Sequence, residues 1–318
     1  MDLPSEPEDP GRPEQASAGA ERLRSKSREL PDPDERTRVY EATRAYAEAD
    51  AAERPEQVPE SGQRPELART GYWSEVPRFV QMWADHKERW PTDRQSTVGA
   101  DWPADPPGSY RSNGGFPLSP ERHTETIDAI SRARKAEPAI SADMQTAERE
   151  NTSGGWLEGF DHRLKGDDRL KEKVAEQLKV EPEKTSGEAL RTIPDAIRYT
   201  FCFQSENYVR GYYDIKAALE SCGQEIYLSN NTWSGRQYKG INTRWVTPEG
   251  QRFEVQFHTP ESFHAKQHIT HESYERIRSP TTSRQELREL HAFHRAVSSQ
   301  LGIPDGATGI PNYKKEGL

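Results

Sequence analysis

Arg252-Phe253-Glu254-Val255-Gln256-Phe257-His258-Thr259 alternates polar and apolar residues without a break, and a period of two is the pattern of a β-strand. The alternation puts Glu254, Gln256 and His258 on one face and Phe253, Val255 and Phe257 on the other. A carboxylate, an amide and an imidazole in file, on a strand whose back is pinned by two phenylalanines, make a candidate catalytic wall. An antiparallel strand with one solvated face reads the same way, so the neighbouring segments decide.

Upstream, Pro248-Glu249-Gly250-Gln251 is hairpin chemistry and joins this strand to another over residues 241–247. Ile197, Tyr199, Phe201 and Phe203 alternate within a strand over 193–203. Tyr208, Tyr212, Ile215, Leu219 and Cys222 then follow helical spacing, closed by Gly223. A strand over 224–228 comes next, and helices are expected over 120–149 with a break at Pro138, over 156–180, over 261–278 and over 282–301. The order α-β-α-β-β-β-α-α predicts an α+β fold, a small mixed sheet flanked by helices.

Outside this region the chain is polar. Only 31% of its 318 residues are apolar, and its mean hydropathy is -1.06. That is too little for a core spanning the whole length. Residues 1–37, dense in Pro, Glu, Asp and Arg, are expected to be a disordered acidic tail, since they cannot offset the entropy of ordering. Helical segments and linkers are expected over 38–119: a surface helix over 38–52, then a stripe of Val76, Phe79, Val80 and Trp83 stopped by Pro91. That stripe suits core packing and partner docking equally. Residues 120–302 form the folded domain, and 303–318 a C-terminal tail. A net charge of -9 argues against a general nucleic-acid coat but leaves room for a local basic pocket. Cys202 and Cys222 show no metal or disulfide spacing. No run approaches the roughly 18 apolar residues of a membrane span, and the acidic start lacks a secretory pattern, so a cytoplasmic protein with no membrane partner is expected.

Three further groups carry chemistry. Arg163, Lys165, Arg169, Lys171 and Lys173 crowd the expected start of a helix, a place that suits phosphate. Asp195, at a strand entry after Pro194, is a candidate Mg²⁺ ligand, a role that takes one or two protein carboxylates plus substrate phosphates. Tyr238 and Lys239 lie in the polar loop over 230–242, where an aromatic can stack on a base and a lysine can meet phosphate. His264, His268 and His271 fall at i, i+4, i+7. They are expected to line the same cleft as Glu254, with zinc binding the lesser alternative because His-Glu-x-x-His order is missing.

Taken together, Arg163-x-Lys165, the helix with Lys173, Ile-Pro-Asp195, Tyr238-Lys239-Gly240-x-Asn242 and Glu254-x-Gln256-x-His258-Thr259 resemble the RelA/SpoT-type alarmone synthetase domain over residues 150–280. The family motifs read Arg-x-Lys-Ser, Asp-x-x-Gly-x-Arg, Gly-Tyr-Arg-Ser-x-His and Glu-x-Gln-x-Arg-Thr. The resemblance implies a Mg²⁺-dependent transfer of pyrophosphate from ATP to the 3'-hydroxyl of an acceptor nucleotide. It implies ATP-phosphate contacts at Arg163, Lys165 and Lys173, metal ligation by Asp195 and Glu254, and Glu254 as base. It further implies acceptor contacts at Tyr238, Lys239, Asn242, Gln256 and His258.

Arg198 replaces the family's glycine, Lys239-Gly240 its Arg-Ser, Asn242 its histidine and His258 its arginine. These departures resemble toxin-like or adenosine-nucleotide-using branches, so GDP, GTP, AMP, ADP, ATP and a tRNA 3' end all stand as acceptors. A secreted toxin with an antitoxin or immunity partner is one alternative, and a non-catalytic nucleotide- or partner-binding module is another. Self-association is left open. No hydrolase or regulatory domain of the family is expected in this chain.

Overall fold

The computed structural model describes residues 71–91, 105–112, 115–279 and 281–315. The tail expected over 1–37 and the surface helix expected over 38–52 lie outside the described residues. A six-stranded mixed sheet organises the rest, in the order β3-β4-β7-β6-β5-β8. The strands are β3 (Trp156–Leu157), β4 (Arg198–Cys202), β5 (Glu225–Asn231), β6 (Ile241–Val246), β7 (Arg252–His258) and β8 (Tyr313–Lys314). Two further strands, β1 (Tyr110–Arg111) and β2 (Pro117–Leu118), form a separate small hairpin. β4 and β7 are parallel, while β6 pairs antiparallel with both β5 and β7.

The odd-numbered residues of the opening stretch build the core. Phe253, Val255 and Phe257 stand in register with Trp245, Thr243 and Ile241 on one side. Val255 and Phe257 also meet Tyr199 and Phe201 on the other. Most of this face is fully buried, under helices α2 (Pro120–Glu150), α3 (Asp167–Val180), α4 (Ser186–Arg191) and α5 (Tyr208–Ser221). Ile140 and Met144 of α2, Val174 of α3 and Ile215 and Leu219 of α5 supply its other half.

Local chemistry sets the helix ends. Ser119 caps α2 by accepting from Arg122 N–H, and Thr185 with Glu188 forms a capping box on α4. α5 ends at Gly223, whose φ of 83° favours glycine.

Four expectations change. The break at Pro138 does not occur: α2 runs unbroken for 31 residues, and the bond lost at Pro138 is outweighed by an apolar face fixed on the sheet. The helix expected over 156–180 begins only at Asp167, because Trp156–Leu157 joins the sheet and Gly166 takes an extended conformation. The helix expected over 261–278 is split into α6 (Pro260–His264) and α7 (His271–Arg278) by a π-helical turn over Ala265–Ile269. The segment expected as a C-terminal tail packs on the fold. Ala307 and Ile310 are buried, and Tyr313–Lys314 pairs with β5.

The stripe over 76–83 lies on α1 (Gly71–Arg89): Phe79 is buried and Val76 and Trp83 pack within the chain, while Val80 is 56% exposed. Tyr72 and Phe79 form a second apolar cluster with Ala265, Ile269 and, from α8 (Arg284–Ser298), Phe293 and Val297.

Candidate active site

The even-numbered face of the sheet is polar and arranged in rows. Glu254 stands in register with Arg198 of β4 and Arg244 of β6; Gln256 with Thr200 and Asn242; His258 with Cys202. The file read on one strand is therefore a wall three strands wide. Glu254 is 8% exposed and Gln256 6%, so the acid at its centre is reached from a restricted side.

The wall is cross-linked. Gln256 donates through Nε2 to Glu254 Oε1 at 2.6 Å and accepts through Oε1 from the Lys266 ammonium. Lys266 reaches that position from the π-turn, a distortion that re-aims side chains and is frequent at functional sites. Burial, then the nearby Arg198 guanidinium, lowers the Lys266 pKa to about 7, while Glu254 opposes the fall.

A second group lies where the chain enters β4. Lys165 sits in extended backbone beside this entry, its N–H donating to Ala196 C=O and Leu164 bridging to Ile197. Lys173 comes from α3, and both ammonium groups converge on Asp195, Lys173 at 2.8 Å and Lys165 at 3.0 Å. Burial would raise the Asp195 pKa, but the hydrogen bond and charge of Lys173, then Lys165, hold it at about 2. Arg198 is a charge neighbour of Lys165, which links this group to the Glu254 row.

Arg163 is placed elsewhere. Its Nε donates to Glu137 at 2.6 Å and to Ser141 at 3.1 Å, both on α2, and its guanidinium lies 4.3 Å from the Phe160 ring centre. Glu137 and Ser141 also bond the Tyr199 hydroxyl, so Arg163 belongs to the helix-covered side of the sheet, opposite Glu254.

The loop residues divide. The half-buried Tyr238 donates to Asn242 Oδ1 at 2.9 Å and lies 2.9 Å from His258 Nε2. His258 Nδ1 is 2.9 Å from Ser262 Oγ. Burial raises the Tyr238 pKa and drives that of His258 well below its ordinary value, so the imidazole is a neutral strut. Lys239 is buried, and its ammonium donates to the carbonyls of Trp233 and Gly235 at 2.6 and 2.8 Å. These two bonds tie the loop over 233–239 together.

The three histidines do not form a metal site. His264 Nδ1 lies 2.8 Å from the Tyr72 hydroxyl, and His268 and His271 border a hollow with Phe79, Val80 and Trp83. They belong to the contact with α1, because the π-turn re-phases the helix. Among the described residues no group of three or more His, Cys, Asp or Glu side chains is placed to hold a metal. Asp195 and Glu254 are carboxylates, the ligand type Mg²⁺ takes, and here Asp195 is paired with Lys165 and Lys173 while Glu254 Oε1 accepts from Gln256.

Sequence reasoning missed Arg244, Lys266 and Glu137. Arg244 alternates with Asn242, a usable signal once the register to Glu254 is known. Lys266 depends on the π-turn and Glu137 on a helix crossing the sheet, and neither shows in a local pattern.

No family model matches the chain, and no curated protein is similar to it. Solved structures are similar to it at low identity. The Type VI effector Tas1, solved with its immunity protein, is 18% identical, covering 56% of this chain and 96% of its own, with a TM-score of 0.40. Small alarmone synthetase 1 from Bacillus subtilis, bound to its product pppGpp, is 12% identical over 54% of this chain and 88% of its own, at 0.35. A GTP pyrophosphokinase family protein from Streptococcus pneumoniae is 14% identical over 54% and 85%, at 0.33. No helix among the described residues is long and apolar enough to cross a membrane.

Proposed function

We propose that the chain is a Mg²⁺-dependent ATP:nucleotide 3'-pyrophosphokinase. The observation that carries this reading is the position of Glu254, a shielded carboxylate held by Gln256 on the central strand, flanked by Arg198 and Arg244 and joined through Arg198 to the Lys165–Asp195–Lys173 group.

Lys165 and Lys173 hold the phosphates of ATP, exchanging the Asp195 carboxylate for phosphoryl oxygens. Arg163 works from behind the sheet, fixing Tyr199 and Glu137. Asp195 and Glu254 would hold Mg²⁺, which when bound neutralises charge on the β- and γ-phosphoryl oxygens. Glu254 takes the proton of the acceptor 3'-hydroxyl. The 3'-oxygen forms a bond to the β-phosphorus, the bond from that phosphorus to the α,β-bridging oxygen breaks, and AMP leaves with that oxygen. Gln256 and Asn242 orient the acceptor, and Tyr238, fixed through its hydroxyl, offers its ring to the base.

The test is incubation with Mg²⁺, γ-labelled ATP and each nucleotide or tRNA in turn. AMP and a labelled 3'-pyrophosphorylated product are expected from at least one acceptor, and the absence of AMP from every mixture overturns the reading.

A further inference from the structure

α1 belongs to a second apolar cluster, apart from the core behind Glu254, yet it packs on the turn that carries Lys266. Tyr72 and Phe79, both fully buried, meet Ala265 and Ile269 of the π-helical turn, and Phe293 and Val297 of α8 close the cluster. Polar bonds pin α1 on either side of that turn. The Tyr72 hydroxyl lies 2.8 Å from His264 Nδ1 and Trp73 Nε1 donates to Glu261 at 3.3 Å, both on α6. Trp83 Nε1 donates to Glu272 of α7 at 2.7 Å.

The turn itself is the unusual element. The Thr270 N–H donates to the Ala265 carbonyl, five residues back, at 2.9 Å, and the Thr270 hydroxyl donates to the same oxygen at 3.0 Å. A bond spanning five residues is rare beside the ordinary four. A rare backbone arrangement persists where its surroundings hold it, and here the surroundings are α1 and α8. Lys266 follows Ala265 directly. Successive residues of a regular helix stand roughly 100° apart, so a one-residue change of register would swing Lys266 far from Gln256. Lys266 donates to Gln256 Oε1, and Gln256 donates to Glu254. α1 therefore reaches the acid through the turn, Lys266 and Gln256 in succession.

We infer that Tyr72 and Phe79 are positioning residues for the proposed base: by docking α1 they hold the π-turn that aims Lys266 at Gln256, and so fix the Glu254 carboxylate. The inference rests on the pyrophosphokinase reading for the role of Glu254, and adds to that site a helix far upstream in the chain. The Lys165–Asp195–Lys173 group is built from α3 and the entry to β4, so it stays in place when α1 loosens. Loss of docking lowers turnover without weakening the hold on ATP phosphates.

The test is made on the full chain with Phe79→Ala, Lys266→Met and the two combined. The side-chain amide NMR signals of Gln256, assigned through Gln256→Met, read the relay without any turnover. Phe79→Ala should shift them in the same direction as Lys266→Met, while Val80→Ala, at an exposed position of the same helix, should leave them at their native positions. In kinetics, Phe79→Ala should lower kcat by about tenfold at an unchanged KM for ATP. The combined variant should lose little more, whereas independent effects would multiply to about a hundredfold. Where Phe79→Ala fails to melt cooperatively, Phe79→Leu and Tyr72→Phe are read in the same way. Gln256 signals that stay native in a variant whose α1 amides exchange faster, or losses that multiply, overturn the inference. The NMR series answers separately from the chemistry: signals that move with Phe79→Ala keep Glu254 positioned from α1 even if no AMP is ever formed, and only the reaction is then lost.

Discussion

Gln256 Nε2 donates to Glu254 Oε1 at 2.6 Å while its own Oε1 accepts from Lys266. This relay joins a residue on a π-turn to the proposed base through one amide, so the orientation of Glu254 depends on a side chain twelve residues further along the chain. The ammonium of Lys266 forms as pH falls through about 7, adding positive charge beside Arg198. KM for anionic nucleotide should therefore be a few-fold lower at pH 6 than at pH 8. Lys266→Met should make KM insensitive to pH over that interval and lower kcat by about tenfold through loss of the oriented amide. Steady-state kinetics at three pH values checks both.

Asp195 is a carboxylate whose folded pKa lies below its unfolded one, at about 2 against 3.8. Its pairing with Lys165 and Lys173 therefore stabilises the fold fully above about pH 4, and the contribution is lost as pH falls towards 2. Asp195→Asn should be less stable than the native chain at pH 6, with the difference shrinking between pH 4 and pH 2. Urea unfolding across that series measures it. The same substitution should lower turnover by about 10²-fold or more, in the range of lost electrostatic contacts in phosphoryl transfer.

Gly240 has φ 151°, and an added Cβ would meet His258 Cε1 at 2.8 Å and the Phe257 carbonyl oxygen at 3.0 Å. Gly240→Ala should cost about 1–3 kcal/mol from strain and overpacking. It should also part Tyr238 from His258. Chemical denaturation reports the first effect and weakened acceptor binding the second.

The α1 contact should be acid-sensitive. Burial, then the His268 charge, lowers the His264 pKa to about 4, against 6.5 in the unfolded chain. The neutral ring accepts from the Tyr72 hydroxyl at 2.8 Å. Its folded pKa being depressed, the stability linked to His264 is complete above about pH 6.5 and is lost as pH falls towards 4. Amide exchange in α1 should accelerate over that window, and His264→Gln should remove the dependence. Phe79→Ala, emptying a fully buried position, should cost about 3 kcal/mol.

The alternation over 252–258 was enough to place Glu254 and Gln256 on one face with the phenylalanines behind, because a period of two leaves no freedom once one face is buried. The α+β order and the helix ending at Gly223 were legible for the same reason: local patterns with local causes. What the sequence hid is set by long-range packing. Arg163 and Lys165 are two residues apart, yet they point to different partners across the sheet, Glu137 and Asp195. The histidines looked aligned at helical spacing, but a π-turn, which no propensity announces, rotated them towards α1. Lys239 followed a tyrosine as a phosphate ligand might, and only the fold of its loop turned it onto two carbonyl groups.

The central claim is that Glu254 is the base of a pyrophosphoryl transfer from ATP. The most direct measurement compares the native chain with Glu254→Gln, both with Mg²⁺, γ-labelled ATP and the panel of acceptor nucleotides, following AMP and the label on the acceptor. Equal amounts of AMP and labelled product are expected from the native chain. In the variant, turnover should fall by on the order of 10²- to 10⁴-fold with an unchanged thermal melt. A variant that keeps more than about half of native activity, against the losses general bases produce, or a native chain that forms no AMP with any acceptor, would contradict it.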